Sequence, residues 1–258
     1  MRILLTNDDG INSPGIIAAC ERLSEIADVY VVAPDRERSG TGHSITVFNP
    51  IKAQKLDWRG VARAAWVIDG TPADCVKLGI SALLPEPPDY VVSGINRGAN
   101  LGTDVLYSGT VSAAVEGVIM GVPSLAVSLT SYKYNEDFSF SSRFTRLIMR
   151  ILEREGTARD IVLNINIPAI PRQEIKGVRI TKLGVRRYDN LFEERKDPRG
   201  NSYYWLGGDV IQEEQDPDSD VAAINEGYLS ITPIHFDLTD YRLMEEFRQR
   251  FKPYIHLV

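Results

Sequence analysis

Short apolar runs alternate with helix-like segments through most of the first 167 residues, and this alternation is what most constrains the fold. The runs are four to seven residues long and apolar enough to be strands buried on both faces. They span residues 2–6, 29–33, 90–93, 124–129 and 161–167. Segments with apolar residues at helical spacing separate most of them. Alternating strands and helices predict an α/β fold with a mostly parallel sheet flanked by helices.

One segment of the first half interrupts this alternation. Ser44–Phe48, Ile51–Leu56 and Ala64–Ile68 each favour β structure, and no helix-like pattern separates them. We therefore predict three β segments here, followed by a helix that begins after Thr71. Asp74 stands where the partner residue of a capping box belongs, so we favour a structural role for it.

The composition excludes several classes of function. The chain has 258 residues and a formal net charge of −6, so it lacks the basic surface that grips long nucleic acid or an anionic membrane. Its longest uncharged stretch, residues 117–132, is shorter than the roughly 20 apolar residues of a membrane span. The N-terminus does not resemble a secretory signal. Cys20 and Cys75 are far apart in helix-like patterns, which disfavours a disulfide or a thiolate metal site. We expect a soluble cytoplasmic protein.

Charged residues become denser near residue 130. The first 130 residues contain 24 of them and the remaining 128 contain 40. The first part is typical of a buried sheet with glycine-rich loops, and the second of arms, hairpins or subunit contacts. We expect a single domain over 1–258, with a core over about 1–170 and a C-terminal extension over about 171–258.

Two adjacent carboxylates, Asp8 and Asp9, come directly after the first predicted strand. Their like charges repel each other and are costly to desolvate at the end of a buried strand, and a bound cation would offset both effects. The alternative is an ordinary solvated Asp-Gly turn at Asp9-Gly10.

The loop after the second strand contains Ser39, Gly40 and His43. Hydroxyl oxygens can bind a hard cation or an anion, and glycines let the backbone approach a ligand. The alternative is a flexible connection. A single histidine is more often a hydrogen-bonded structural residue than a ligand, so we favour a structural role for His43.

Two asparagines, Asn96 and Asn100, follow the strand predicted at Tyr90–Ser93. The amide oxygen of Asn96, three residues beyond this strand, can bind a metal ion, and its nitrogen can donate to an anion. Both asparagines could instead serve only to permit left-handed turns, an alternative that suits Asn100 better.

The segment Ser108-Gly109-Thr110 opens the next predicted helix. A helix start presents free N–H groups and the positive end of the helix dipole, which together bind anions. The alternative is a simple N-cap by Ser108. In a parallel sheet this segment and the three preceding loops lie at one edge, where ligands bind.

Asp8, Asp9, Ser39 and Asn96 offer only oxygen donors, which favours Mg²⁺, Mn²⁺ or Ca²⁺ over zinc. A hard cation beside an anion-binding helix start suits the hydrolysis of a phosphate ester. Either Asp8 or Asp9 could assist in deprotonating the attacking water, and the sequence pattern does not choose between them.

Five motifs in the same order give the chain a clear resemblance to the SurE family of survival proteins. They are LLTNDDGINSPGI, SGTGHSIT, DGTPADCV, VVSGINRGANLG and YSGTVSAAVEG, and similarity continues at Ser230–Thr239. The resemblance implies a metal-dependent nucleotidase that acts on nucleoside 5′-monophosphates, on 3′-monophosphates and on short polyphosphate. It also implies a Rossmann-like core with an extended, β-rich C-terminal part used in homodimers or homotetramers.

The resemblance also implies roles for individual residues. One divalent ion per subunit, Mg²⁺ or Mn²⁺, would be bound by the two aspartates and by the serine and asparagine of the next two loops. The asparagine and the helix start would bind the phosphate, and a glycine and a second asparagine would hold the loops of the site in place. The implied metal ligands are Asp8, Asp9, Ser39 and Asn96, the implied phosphate-binding residues are Asn96, Ser108, Gly109 and Thr110, and the implied supporting residues are Gly40 and Asn100. Asp8, Asp9 and Asn96 are the expected catalytic residues.

Rival enzyme classes fit the sequence less well. A zinc-dependent deacetylase with paired aspartates needs histidine ligands, and His43, His235 and His256 are all distant in sequence from Asp8. A phosphatase with an aspartate nucleophile has one residue between its two aspartates, whereas Asp8 and Asp9 are adjacent. We also do not assign His235 to catalysis.

A non-enzymatic alternative is a metal-binding, receiver-like signalling module or a nucleotide-binding module without turnover. Receivers are about half this length and carry a phosphorylated aspartate after a middle strand, where this chain has Asn96. An assay for phosphate release separates an enzyme from a binding module.

Overall fold

The computed structural model describes residues 1–58, 60–133, 135–156, 158–189, 192–211 and 213–254. The strands are β1 (Arg2–Thr6), β2 (Asp28–Pro34), β3 (Ala53–Leu56), β4 (Ala64–Ile68), β5 (Tyr90–Arg97), β6 (Ser124–Leu129), β7 (Val162–Ile167), β8 (Val178–Ile180), β9 (Phe192–Lys196), β10 (Ser202–Leu206) and β11 (Leu229–Ile234). The α-helices are α1 (Pro14–Leu23), α2 (Pro72–Leu78), α3 (Gly109–Ile119), α4 (Ser139–Glu155), α5 (Asp220–Asn225) and α6 (Tyr241–Phe251).

In the described part of the chain, all strands except β9 and β10 form one sheet in the order β3-β4-β2-β1-β5-β6-β7-β11-β8. The pairings β3–β4 and β7–β11 are antiparallel, and the other pairings in this sheet are parallel. The predicted α/β fold with a mostly parallel sheet is confirmed.

The central strands are apolar on both faces because helices cover both sides of the sheet. In β1, Ile3 and Leu5 belong to a core shared with α1 and α4. Leu4, which points to the opposite face, belongs to a second core shared with α2 and α3. The two-residue period of a strand thus divides one short run between two hydrophobic cores.

Two glycines let helices approach the sheet closely. A Cβ atom at Gly15 in α1 would lie 1.9 Å from the carbonyl oxygen of Ile95 in β5. A Cβ atom at Gly117 in α3 would lie 2.3 Å from Oγ of Ser124 in β6. These contacts fix α1 against β5, which carries Asn96, and α3 against β6.

The strand predicted at Ser44–Phe48 is wrong, because this segment forms no strand. The backbone N–H of Thr46 donates to the Asp74 carboxylate instead of to a neighbouring strand. The next segment is a strand only over Ala53–Leu56, which is shorter than predicted, and Ala64–Ile68 is a strand as predicted.

The strand predicted at Tyr90–Ser93 is longer than expected and continues to Arg97. Its pairing with β6 shifts register between Ser93 and Asn96. Asn96 therefore lies within the irregular end of β5 and not three residues beyond it.

The C-terminal part extends the sheet and adds an exposed hairpin. β11 and β8 lie at one edge of the sheet, whereas β9 and β10 form a separate antiparallel hairpin whose strand residues are all exposed. Helix α6 has no buried residue among those described. Among the described residues, no helix combines the length and the apolar composition that crossing a membrane requires.

Candidate active site

The candidate site lies where the sheet order reverses direction. β1 lies between β2 and β5. The chain continues from β1 to β2 on one side of β1, and it continues from β5 to β6 on the other side. In open α/β sheets, ligands bind at such a reversal, beyond the carboxyl ends of the strands. Asp8 and Asp9 follow β1, and Asn96 lies at the end of β5.

Asp8 is packed against the start of α3. The residue is 4% exposed, and the hydroxyl of Thr110 donates to its Oδ1 at 2.5 Å. A Cβ atom at Gly109 would lie 2.8 Å from Cβ of Asp8, so only glycine leaves space for this carboxylate. Burial raises the pKa of Asp8, while the hydrogen bonds from Thr110 act in the opposite direction.

Asp9 occupies a less buried position beside Asp8. Its Oδ2 accepts a hydrogen bond from the backbone N–H of Arg97 at 3.1 Å. Burial, followed by the nearby charge of Asp8, raises the pKa of Asp9 to about 7. Ionisation of both carboxylates is therefore unfavourable in the protein alone.

The loop that carries Ser39 is held next to Asp8. The backbone N–H of Arg38 donates to the carbonyl oxygen of Asp8 at 2.7 Å. Ser39 itself is exposed, and its hydroxyl donates to Oε1 of Glu37 at 2.9 Å. Its oxygen keeps lone pairs with which it could bind a cation.

Asn96 and Asn100 are both buried and hydrogen-bonded. Asn96 donates its Nδ2 to the carbonyl oxygen of Gly98 at 2.9 Å, which leaves its amide oxygen as the atom available to a ligand. Asn100 donates its Nδ2 to Oγ of Ser128 in β6, and its backbone N–H donates to Oδ1 of Asn166 in β7. Asn100 thus attaches the glycine-rich loop to the sheet.

Six of the predicted residues line one cavity of about 210 Å³. They are Asp8, Ser39, Gly40, Asn96, Asn100 and Ser108. Asp9 lies on the wall of an adjacent cavity of about 380 Å³, and Arg97 lines both cavities. Gly109 and Thr110 do not line the smaller cavity but contact Asp8.

Ser108 combines a helix-capping role with a place on the cavity wall. Its Oγ accepts a hydrogen bond from the backbone N–H of Val111 at 3.1 Å, which makes it the N-cap of α3. Capping uses the oxygen as an acceptor and leaves the hydroxyl proton free to donate.

Six further residues, which the sequence did not single out, line the 210 Å³ cavity. They are Arg97, Gly98, Ala99, Asp104, Tyr107 and Tyr132. Their nearness in sequence to predicted site residues could have indicated some of them, since Tyr107 directly precedes Ser108 and Arg97 directly follows Asn96.

His43 and His235 make structural contacts, and His256 lies outside the described residues. Nε2 of His43 lies 2.9 Å from Oε2 of Glu116 on α3, and Lys77 donates to the other oxygen of this buried carboxylate. His235 accepts a hydrogen bond from the backbone N–H of Asp237, far along the chain from the site.

Asp74 ties helix α2 to the loop that follows Ser39. It completes the predicted capping box with Thr71 and also accepts hydrogen bonds from the N–H and hydroxyl of Thr46. Although burial acts in the opposite direction, these bonds hold the pKa of Asp74 below its usual value.

The donor set fits a hard cation. Burial outweighs the hydrogen bonds that Asp8 and Asp9 accept, and it raises the pKa of both carboxyl groups. Their ionised forms therefore need positive charge that the protein alone does not fully supply. Among the described residues, no cluster of three or more His, Cys, Asp or Glu side chains could hold a metal ion, so a site here needs the neutral oxygen atoms of Ser39 and Asn96 as well. Ligation by two carboxylates, a hydroxyl and an amide oxygen is the arrangement suited to Mg²⁺ or Mn²⁺.

Comparison with known proteins identifies the family. A family model described as "Survival protein SurE" matches residues 3–190. The chain belongs to the SurE family. It is similar to "5'-nucleotidase SurE" of Syntrophomonas wolfei subsp. wolfei, with 62% identity over 100% of this chain and 97% of the relative. A second SurE relative, "5'-nucleotidase SurE" of Heliobacterium modesticaldum, is 54% identical over 95% of this chain and 90% of its own length.

The SurE fold is also found among solved structures. The crystal structure of the SurE protein from Aquifex aeolicus is similar to this chain with a TM-score of 0.83 and 41% sequence identity. The match covers 97% of this chain and 99% of that one. The resemblance inferred from the five motifs is confirmed.

Proposed function

We propose that this chain hydrolyses nucleoside 5′-monophosphates to nucleoside and phosphate, with one divalent ion, Mg²⁺ or Mn²⁺, per subunit. The observation that carries the proposal is the convergence of Asp8, Ser39, Asn96 and Ser108 on one cavity, with Asp9 adjacent. The relatives named 5′-nucleotidase SurE, at 62% and 54% identity, support the same activity.

Asp8, Asp9, Ser39 and Asn96 would hold the metal ion. When bound, such an ion neutralises phosphoryl charge and makes a bound water more acidic. Its charge would also remove the unfavourable interaction between the two carboxylates, which gives this pair a physical reason to be buried together.

The start of α3 would bind the phosphate. Ser108 can donate its hydroxyl proton, and the first turn of the helix adds backbone N–H groups and the positive dipole end. Thr110 acts through Asp8, because its hydroxyl donates to that carboxylate. Asp8 or Asp9 would accept the proton of the attacking water.

The direct test is phosphate release from AMP in the presence of Mn²⁺. We expect turnover that EDTA abolishes and that Asp8→Asn reduces by at least about a hundredfold, because the variant loses a charged metal ligand. Asp28→Asn is the matched control, since Asp28 is an exposed carboxylate at the start of β2 that pairs with Arg63.

Three outcomes decide the proposal. Wild-type activity in Asp8→Asn contradicts the assignment of the metal ligands, and EDTA-resistant turnover contradicts metal dependence. Binding of AMP without phosphate release identifies a binding module. Circular dichroism of each variant excludes loss of the fold as the cause of inactivity.

The finer substrate range and the assembly are also proposals. We infer activity on 3′-monophosphates and short polyphosphate from the family resemblance, to be measured with a substrate panel under metal replacement. We infer a cytoplasmic homodimer or homotetramer. Support comes from two buried free cysteines and from exposed aromatic residues of the β9–β10 hairpin, and light scattering would measure the oligomeric state.

A further inference from the structure

Two tyrosines line the cavity of the candidate site and remain largely exposed. Tyr107 and Tyr132 share the wall of the 210 Å³ cavity with Asp8 and Ser108. The exposed fractions of the tyrosines are 69% and 72%. Exposed aromatic side chains beside a concave polar site are typical of ligand binding.

The size of this cavity requires part of a nucleotide to extend beyond it. Pockets that enclose a small organic ligand measure roughly 300–1,000 Å³. A cavity of about 210 Å³ suits a metal ion and a phosphate near Asp8, Asn96 and Ser108. The nucleoside must then lie across the rim or in the neighbouring cavity.

The neighbouring cavity of about 380 Å³ is poorly suited to a nucleobase. Its wall carries more carboxylates than guanidinium groups. The carboxylates are those of Asp9, Asp35, Glu37 and Glu136, and the guanidinium groups are those of Arg36 and Arg97. Phe138 also lines it but is only 4% exposed, so its ring offers little face for stacking. The rim with Tyr107 and Tyr132 is the more favourable direction.

Contacts with the site's own loops position the ring of Tyr132 and the backbone of Tyr107 near the phosphate-binding segment. Tyr132 lies against Gly98, where a Cβ atom would be 2.5 Å from Cε1 of the ring. The carbonyl oxygen of Tyr107 accepts a hydrogen bond from Gly42, in the loop after Ser39, at 3.1 Å.

We propose that Tyr107 and Tyr132 bind the nucleobase of the substrate by stacking, without reading its edge. The proposal rests on the proposed function and adds the two residues that bind the base of its substrate. Base–aromatic stacking tolerates every base because each has a π-face. Asp104 lies on the same cavity wall. Its Oδ2 accepts hydrogen bonds from Arg186 and Tyr188 at 2.6 Å each, so this oxygen is already used and is not free to bind the edge of a base.

The test compares AMP with ribose 5-phosphate, which carries the phosphate and sugar but no base. For Tyr107→Ala and Tyr132→Ala we expect kcat/KM on AMP to fall roughly tenfold, mainly through KM, because stacking contributes to binding. On ribose 5-phosphate both variants should stay within about twofold of wild type. Tyr107→Phe and Tyr132→Phe should restore AMP hydrolysis, since phenylalanine keeps the stacking face.

Phe48→Ala is the control, because Phe48 is an aromatic residue that is 97% exposed and lines neither of the two cavities. Equal losses on both substrates, or no loss on AMP, would overturn the base-stacking role while leaving the nucleotidase activity in place. A more than tenfold preference of the wild type for one base would overturn the absence of edge reading. Failure of the wild type to hydrolyse either substrate with Mn²⁺ would overturn the proposed function and this inference together.

Discussion

Thr110 donates its hydroxyl to Oδ1 of Asp8 at a position with no solvent access. A buried hydrogen bond of this kind selects one orientation of the carboxylate, and loss of such a supporting partner typically costs about 10–100-fold in metal affinity or activity. The residue therefore belongs to the site although it does not line the cavity.

Replacement of Thr110 tests this positioning role. Thr110→Val keeps the shape of the side chain but removes the donor, so we expect kcat/KM on AMP to fall roughly tenfold to a hundredfold and Mn²⁺ to bind more weakly. Thr110→Ser retains the hydroxyl and should recover most of the activity. Equal activity of the valine and serine variants would contradict the role of this hydrogen bond.

The raised pKa of Asp9 predicts how pH affects the metal-free protein. Because the folded-state pKa of about 7 lies above the usual value near 4, the folded state binds more protons between these pH values. The free energy of unfolding should therefore decrease as pH rises through this range, and the loss persists above pH 7.

The stability of Asp9→Asn in EDTA measures this effect. At pH 8 the variant should be about 1–3 kcal/mol more stable than wild type in urea unfolding, and the difference should shrink towards pH 5. Saturating Mn²⁺ should stabilise the wild type more than the variant. A difference that does not change with pH would show that Asp9 ionises normally in the folded protein.

At the scale of elements, the position of α3 decides the geometry of the site. Its first residue, Gly109, packs against Asp8, and Gly117 near its other end packs against β6. A side chain at Gly109 must displace Asp8 or the helix, since the added Cβ atom would be 2.8 Å from Cβ of Asp8.

Gly109→Ala should accordingly reduce kcat/KM on AMP by at least about tenfold and weaken Mn²⁺ binding, measured by calorimetry. Gly207→Ala is the control, because a Cβ atom there would meet nothing within 4 Å. Wild-type metal affinity in Gly109→Ala would show that the contact with Asp8 relaxes without consequence.

Strands buried on both faces were predictable from the sequence, because a short uninterrupted apolar run bounded by polar loops is typical of a central strand in a parallel sheet. Residues 2–6 and 124–129 are strands with the predicted bounds. The strand predicted at Ser44–Phe48 is wrong because a local β pattern does not show contacts with residues distant in sequence. Here the carboxylate of Asp74 accepts the hydrogen bond from the backbone N–H of Thr46.

The candidate site was predictable for those residues that lie at or just after the ends of the parallel strands. Parallel strands end at one edge, so loops that follow β1, β2 and β5 converge. Contacts made across the fold were not predictable, such as the hydrogen bond from Thr110 to Asp8 or the place of Tyr132 beside Gly98. Such contacts depend on the packing of elements that are distant in sequence.

At the scale of the whole molecule, the C-terminal part supports the loops of the site. The buried carboxylate of Asp220 accepts hydrogen bonds from the backbone N–H groups of Gly102 and Gly184 at 2.8 Å each. Gly102 begins a short 3-10 helix, Gly102–Leu106, that contains Asp104 of the cavity wall. The solvated second half of the chain is therefore attached directly to the site.

Removal of this carboxylate should destabilise the whole molecule. Asp220→Ala leaves buried N–H groups without a partner, so we expect a loss of about 2–4 kcal/mol in the free energy of unfolding by urea. Asp218→Ala, at an exposed neighbouring carboxylate, should change it by less than about 0.5 kcal/mol. Equal stability of the two variants would contradict the supporting role of Asp220.

The central claim is that side chains from the loops after β1 and β2 and from the end of β5 bind one hard cation at the end of β1. Anomalous scattering from a crystal soaked in manganese tests it most directly. We predict one peak per subunit within about 2.0–2.6 Å of oxygen atoms of Asp8, Asp9, Ser39 and Asn96. A manganese peak elsewhere, with these four side chains unliganded, would contradict the account.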